Sequence, residues 1–198
     1  MRLFAALALA ALLIGGCAGA KPKDGQLPDP PQRLVQRGLS FLPPAEKDWW
    51  IAQKGADTLV IARTGRLEGD ARAVEASLIP APAFASSLER NRYVRTIREH
   101  ALPAPRFRIK AHDLSDRTVD TTSCSLSYLL AEDRQPDTGT NTVGSVVIES
   151  MSLICPHPRN PALAAMLTYT HRSYPEDQDL FFKARAVEVL DTMRFEAL

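Results

Sequence analysis

The chain has 198 residues, with 24 Lys and Arg against 23 Asp and Glu, 45% hydrophobic residues and three Cys. This length suits one domain, and the net charge of +1 argues against nucleic-acid binding through bulk charge. No apolar run reaches the roughly 18 residues of a spanning helix, so a polytopic membrane protein is excluded. The hydrophobic content is that of a globular protein rather than a disordered one.

The first seventeen residues have the pattern of an export signal. Arg2 precedes an apolar run from Leu3 to Ile14, which is followed by Gly15, Gly16 and Cys17. One positive charge before a short apolar run that ends in small residues predicts a signal peptide over residues 1–16.

The segment Leu13–Cys17 resembles the lipobox of bacterial lipoproteins, although Ile14 stands where Leu is usual. The resemblance implies diacylglycerol on Cys17, cleavage before it, and acylation of the new amino terminus with a chain such as palmitate. Several acyl chains anchor a protein stably, and Ala18, which is not Asp, favours the outer membrane with the domain facing the periplasm. The alternative is an ordinary signal peptide cleaved after Ala18–Ala20.

A Pro-rich segment follows the lipobox. Residues 18–37 contain few large apolar side chains and cannot offset their ordering entropy by burial. Residues 17–37 are therefore predicted to be a lipidated Cys and a flexible tether, and residues 38–198 a single domain. Leu34 and Val35 leave open the alternative of an ordered arm.

The domain shows strand patterns interrupted by one helix and closed by another. The predicted strands are Ser40–Leu42, Trp49–Gln53, Thr58–Arg63, Arg72–Ile79, Arg106–Ala111, Val119–Leu130, Val143–Cys155 and Met166–Tyr174. The predicted helices are Phe84–His100 and Asp179–Met193, the second with a clear apolar stripe. This order predicts an α+β fold, a largely antiparallel β-sheet with the two helices packed on it. Within the pairs Trp49-Trp50 and Phe181-Phe182, one member is expected in the core and the other partly exposed.

Two cysteines remain once Cys17 carries lipid. An even pair in an exported, oxidising compartment predicts a disulfide between Cys124 and Cys155. If their strands pair antiparallel with these residues opposite, Leu126 meets Leu153 on the same face. The alternative is two buried free thiols.

Arginines cluster on the predicted first helix. Arg92, Arg95 and Arg98 could form a patch that binds an anionic glycan, an anionic lipid or an acidic envelope protein, because the guanidinium group suits carboxylates and phosphates. The alternative is a solvated helix face paired with Glu89 and Glu99.

The chain shows no motif of an enzyme or a cofactor site. The four histidines match no zinc spacing, there is no nucleophile elbow, and the ten Gly form neither a dinucleotide nor a phosphate loop. No catalytic residue, metal or cofactor is therefore predicted.

The domain resembles uncharacterised envelope lipoproteins of proteobacteria. The residues involved are Gly38–Pro44 before Trp49-Trp50, and Leu167–Tyr174 before the last helix. The layout is also similar to the PsbP-like fold of extrinsic photosystem proteins. Together these features favour a non-catalytic, membrane-anchored binding or assembly-support module. The alternatives are a structural or stress-related envelope protein without a ligand, and a hydrolase with an unrecognised site.

Overall fold

A computed structural model describes residues 25–65, 67, 69–135 and 145–198. The lipobox with Cys17 and the first part of the expected tether lie outside these residues. The described strands are β1 Leu34–Gln36, β2 Leu39–Phe41, β3 Trp50–Lys54, β4 Thr58–Thr64, β5 Ala71–Pro80, β6 Phe107–Val119, β7 Thr122–Asp133, β8 Val146–His157, β9 Asn160–Ser173 and β10 Arg194–Phe195. The α-helices are α1 Ser87–His100 and α2 Phe182–Leu190.

Seven of these strands form one antiparallel sheet in the order β3-β4-β5-β9-β8-β7-β6. Strands β6 to β9 follow one another as a meander of long strands, and β5 pairs with the far side of β9. Strands β1, β2 and β10 form a small second sheet. The prediction of an α+β fold with a largely antiparallel sheet and two main helices is confirmed.

The two helices pack on opposite faces of the large sheet. In β9, Leu167 and Tyr169 belong to the same core as Phe182 of α2, whereas Met166 packs with Val94 of α1. Successive side chains of a strand point to opposite faces, so the sheet lies between the helices. No helix in the described part of the chain is long and apolar enough to cross a membrane.

The apolar stripe of the second helix is confirmed, although the helix itself is shorter than predicted. Its five members are all buried: Phe182, Ala186, Val189, Leu190 and Met193. The first helix begins at Ser87 because Ser86 caps it: its Oγ accepts a hydrogen bond from the Glu89 amide at 3.2 Å. The Glu89 carboxylate in turn accepts one from the Ala85 amide, which resembles a capping box.

The long β6–β7 hairpin corrects one predicted boundary. Val119 ends β6 and pairs with Thr122, so it does not begin the next strand. Asp120, in the two-residue turn between them, has a φ of 52°. Asp tolerates this left-handed conformation, which suits a tight hairpin.

Residues 25–37 lie against the domain. Gly25 accepts a hydrogen bond from the Ile51 amide at 2.9 Å, and Leu27 donates one to Trp49. Strand β1 pairs with β2, and Leu27 and Leu34 pack on the core. This part of the expected flexible tether therefore contacts the domain, as in the alternative of an arm. Leu27 and Leu34 are partly buried there, whereas Val35 is 62% exposed.

The disulfide between Cys124 and Cys155 is present and joins β7 to β8. The proposed register is confirmed, with Leu126 opposite Leu153 and Tyr128 opposite Met151. Both cysteines are fully buried in the core beneath α2. The bond therefore fastens two neighbouring central strands.

Candidate interaction site

A row of polar side chains crosses four strands on the face that carries α2. Arg63 of β4 lies opposite Arg72 of β5, Arg72 lies opposite His171 of β9, and His171 lies opposite Glu149 of β8. His171 follows Tyr169 of the core by two residues, so the row continues the α2 face past the end of its apolar core. The row places two cations, an imidazole and a carboxylate side by side.

Two members of this polar row, His171 and Glu149, pair with residues outside it. His171 Nε2 lies 3.0 Å from Asp70 Oδ1. Burial raises the pKa of Asp70, but the hydrogen bond and charge of His171, with Arg72 and Arg63, outweigh it, so this pKa is lowered overall. The Tyr128 hydroxyl donates to Glu149 at 2.8 Å, and burial raises the pKa of Glu149. Two buried nitrogens of the row, Nε of Arg72 and Nδ1 of His171, have no hydrogen-bond partner among the described residues.

Asp179 connects the polar row to the segment that leads into α2. Its Oδ2 accepts one hydrogen bond from Arg72 Nη2 at 3.3 Å and lies 3.3 Å from Arg185 Nη1. Its side chain is only 8% exposed, and its Oδ1 accepts from the Phe181 amide at 3.0 Å. Asp179 therefore fixes the backbone at the start of α2.

Two apolar side chains project into solvent from this fixed backbone. Leu180 is 93% exposed and Phe181 is 67% exposed, whereas Phe182 is buried between Tyr128 and Tyr169. We call Leu180 and Phe181 the apolar tip. The prediction that only one member of the Phe pair is in the core is confirmed, and Trp49 and Trp50 divide in the same way.

The three arginines of the predicted patch do not share one surface. Arg92 and Arg95 are exposed, and Arg95 lies 3.5 Å from Glu99. Arg98 instead points at the sheet and donates to the Ser150 hydroxyl. Burial, opposed by the charge of Glu75, lowers the pKa of Arg98 to about 10.

The inner face of α1 explains why the guanidinium of Arg98 lies against the sheet. Residues 90, 94 and 98 follow one another at helical spacing, and both Arg90 and Val94 are buried. Arg90 donates to the Ser125 hydroxyl at 2.9 Å and lies 2.8 Å from Asp116. Buried serines of β7 and β8 thus form a polar layer that binds Arg90 and Arg98 of α1.

One group within this layer has the connectivity of a hydrolase triad. His112 Nε2 lies 3.0 Å from Ser127 Oγ, and His112 Nδ1 lies 3.0 Å from Glu99 Oε1. Burial lowers the pKa of His112 despite the opposing hydrogen bond and charge of Glu99. The spacing of residues 99, 112 and 127 carries no motif, so sequence reasoning did not identify the group.

Two observations oppose catalysis by this group. Ser127 is completely buried, so its hydroxyl is not accessible to a substrate in this structure. Ser127 also lies in a strand that is paired on both sides. The neighbouring backbone amides therefore donate hydrogen bonds within the sheet and do not form an oxyanion hole. The arrangement holds α1 on the sheet.

The described residues contain no group of three or more His, Cys, Asp or Glu that could hold a metal ion. A pocket of about 260 Å³ opens beside the N-terminal arm. Its lining includes Gln26, Leu27, Glu46 and Trp49. Pro28, Pro31, Pro43 and Pro44 form much of its wall.

Comparisons with protein families and with curated proteins find no match for this chain. Among solved structures, the cyanobacterial PsbP protein CyanoP from Synechocystis sp. PCC 6803 is similar, with a TM-score of 0.52 and 12% identity. The similarity covers 92% of this chain and 99% of CyanoP. A Bacteroides thetaiotaomicron VPI-5482 structure gives a TM-score of 0.44 and 12% identity over 84% of this chain and 49% of that protein. The expected likeness to the PsbP-like fold is confirmed as a likeness of fold.

Proposed function

We propose that this chain is a lipid-anchored protein of the bacterial cell envelope, held at the outer membrane and facing the periplasm. Its PsbP-like domain acts there as a non-catalytic binding or assembly-support module. The observation that carries the proposal is the disulfide between Cys124 and Cys155. Disulfides persist in exported, oxidising compartments, which agrees with the predicted signal peptide and the lipobox resemblance at Cys17.

The domain offers contact surfaces more readily than reactive groups. Three members of its polar row pair with Asp70, Asp179 and Tyr128. Ser127 is fully buried, and the apolar tip projects from a fixed backbone. An envelope protein or an anionic glycan or lipid is the expected partner, and nucleic acid is not. These features support a module that works by contact.

The lipid anchor is tested by the mass of the mature amino terminus. We expect the N-terminal peptide of membrane-extracted protein to begin at acylated Cys17. A Cys17→Ser variant, as the matched control, should lack the acyl chains and leave the membrane fraction. A wild-type peptide that begins at an unmodified Lys21 would contradict the anchor.

The binding function is tested by photocrosslinking in intact cells with the native anchor in place. A photoreactive residue is placed at Leu88 on α1, at Ile109 on the edge strand β6, or at Phe181 of the apolar tip. All three positions are exposed in the structure. A reproducible adduct with one defined envelope component from one surface, and not from the others, supports the module. A correctly lipidated chain with no adduct from any surface counts against it and favours a structural envelope protein without a ligand.

The hydrolase alternative has one specific observation in its favour, the connectivity of Ser127, His112 and Glu99. A fluorophosphonate probe labels an active serine nucleophile. Labelling of the folded wild type that Ser127→Ala abolishes would establish this alternative. We expect no labelling of the folded chain.

A further inference from the structure

The apolar tip and the N-terminal arm lie at the same end of the domain. Arg185 Nη1 lies 3.3 Å from Asp179, the residue before the tip, and 3.5 Å from Glu46. Glu46 lines the same pocket as Gln26 and Leu27 of the arm. The tip is therefore linked, through Arg185 and Glu46, to the pocket that the first described residues of the chain line.

The length of chain before the arm limits how far this end can be from the membrane. Eight peptide units separate Cys17 from Gly25. A fully extended chain spans at most about 3.6 Å per residue, so Gly25 lies within about 29 Å of a lipidated Cys17. A domain anchored in this way keeps the end that carries the apolar tip close to the lipid surface.

We propose that Leu180 and Phe181 insert into the boundary between headgroups and acyl chains of the membrane that holds the anchor, and so set the orientation of the domain. This proposal rests on the proposed lipid anchor. Apolar side chains bind this boundary in proportion to the apolar area they bury there. The hydrogen bond from the Phe181 amide to Asp179 fixes the backbone beforehand, so little conformational freedom is lost on insertion.

The charges around the apolar tip indicate the kind of lipid. Glu176 and Asp177 are exposed just before the tip, and Lys183 is exposed just after it. This mixture gives no net attraction to an anionic surface. Insertion is therefore apolar in origin and suits a zwitterionic leaflet.

The test is the depth of a tryptophan placed at the tip. Lipidated full-length Phe181→Trp protein is reconstituted in zwitterionic phosphatidylcholine vesicles that contain lipids brominated near the headgroup. Leu88→Trp is the matched control, because Leu88 is 60% exposed on α1, across the sheet from α2. Wild-type protein gives the background of Trp49 and Trp50. We expect blue-shifted emission that the brominated lipids quench strongly from Phe181→Trp. We expect neither the blue shift nor the quenching from Leu88→Trp.

Lipidation is measured separately, by the mass of the N-terminal peptide, and vesicle binding is measured by sedimentation with the vesicles. If the chain is not lipidated, both Trp variants are held on vesicles by a histidine tag in place of residues 1–16, on a nickel-chelating lipid. The tip is thus tested even where the proposed anchor fails. Phe181→Trp emission that matches Leu88→Trp on vesicle-bound protein would overturn the proposal. A dimer in sedimentation velocity that Leu180→Ser and Phe181→Ser dissolve would also overturn it, since a second copy would then cover the tip.

Discussion

Arg72 and Asp179, 107 positions apart in the chain, form an ion pair with 3.3 Å between Nη2 and Oδ2. The pair joins strand β5 to the segment from which the apolar tip projects. Both side chains are largely buried, 17% and 8% exposed. The pair therefore couples the stability of the fold to the geometry of the proposed contact site.

Asp179→Asn is expected to lower the free energy of unfolding by about 1.5–3 kcal/mol, the range for hydrogen bonds to charged groups. The reason is that the variant leaves Arg72 and Arg185 facing a neutral amide. The measurement is urea unfolding. Asp57→Asn is the control, because Asp57 pairs with Arg37 at an exposed site, where a loss below about 1 kcal/mol is expected. Equal losses in the two variants would show that Asp179 is not a structural anchor.

The disulfide contributes stability through the unfolded chain. Replacing both Cys124 and Cys155 by Ala should lower the free energy of unfolding by about 3–4 kcal/mol in the chain-entropy model, since 31 positions separate the two cysteines. With reductant, the denaturant unfolding midpoint of the wild type should approach that of the variant. Reductant should leave the midpoint of the variant unchanged. A wild-type unfolding midpoint that reductant does not move would refute this contribution.

Local periodicity accounts for what the sequence could predict of the fold. The stripe Phe182–Met193 and the alternation in the strands around Cys124 and Cys155 are local patterns, and both are confirmed. Of the small sheet of β1, β2 and β10, only β2 was predicted as a strand, at Ser40–Leu42, and the sheet itself was not. Its strands have three, three and two residues, too short for a pattern, and β10 pairs with β2 from the far end of the chain.

The candidate site was only partly predictable for a related reason. An exposed aromatic was expected in Phe181-Phe182, but the phase of α2 decides that it is Phe181. The polar row takes its members from four strands, and their alignment depends on registers that no single segment encodes. The arginine patch was expected to be one surface because its residues cluster on the first helix, whereas Arg98 follows the buried Arg90 and Val94 at helical spacing and binds Ser150 of the sheet.

Arg98 and Arg92 are expected to respond very differently to the same substitution. Arg98→Gln should lower the free energy of unfolding by about 1.5–3 kcal/mol, because a buried guanidinium loses its charged hydrogen bond to Ser150. Arg92→Gln, at an exposed position, should change it by less than about 0.5 kcal/mol. The measurement is thermal or urea unfolding of both variants. If both variants changed the free energy of unfolding by similarly small amounts, Arg98 would be a solvent-exposed residue like Arg92.

This difference determines how anion binding by α1 should be tested. Only Arg92 and Arg95 are exposed, so the double variant Arg92→Gln/Arg95→Gln removes surface charge without unfolding the helix. If the patch binds anionic vesicles, this variant should lose binding steeply at low salt. Unchanged binding would leave α1 a solvated face held to the sheet by Arg90 and Arg98.

His112 should make the packing of α1 sensitive to acid. Burial lowers its pKa below the ordinary 6.5, so the unfolded chain takes up a proton before the folded chain does. The contribution of His112 is therefore complete above pH 6.5 and is lost as the pH falls from there towards the folded pKa. Glu99, Arg95 and Arg98 are the charged groups that act on the ring.

The measurement is the free energy of unfolding at about pH 7.5 and about pH 5.5, on either side of the ordinary pKa of His, for wild type and for His112→Gln. Glutamine can hydrogen-bond Ser127 and Glu99 but does not titrate. Burial raises the pKa of Glu75 and of Glu149, so these two groups add stability as the pH falls. This contribution is present in both proteins and cancels when they are compared. Wild type should lose more stability than His112→Gln over this interval, and parallel losses would mean that His112 titrates alike in the folded and unfolded chains.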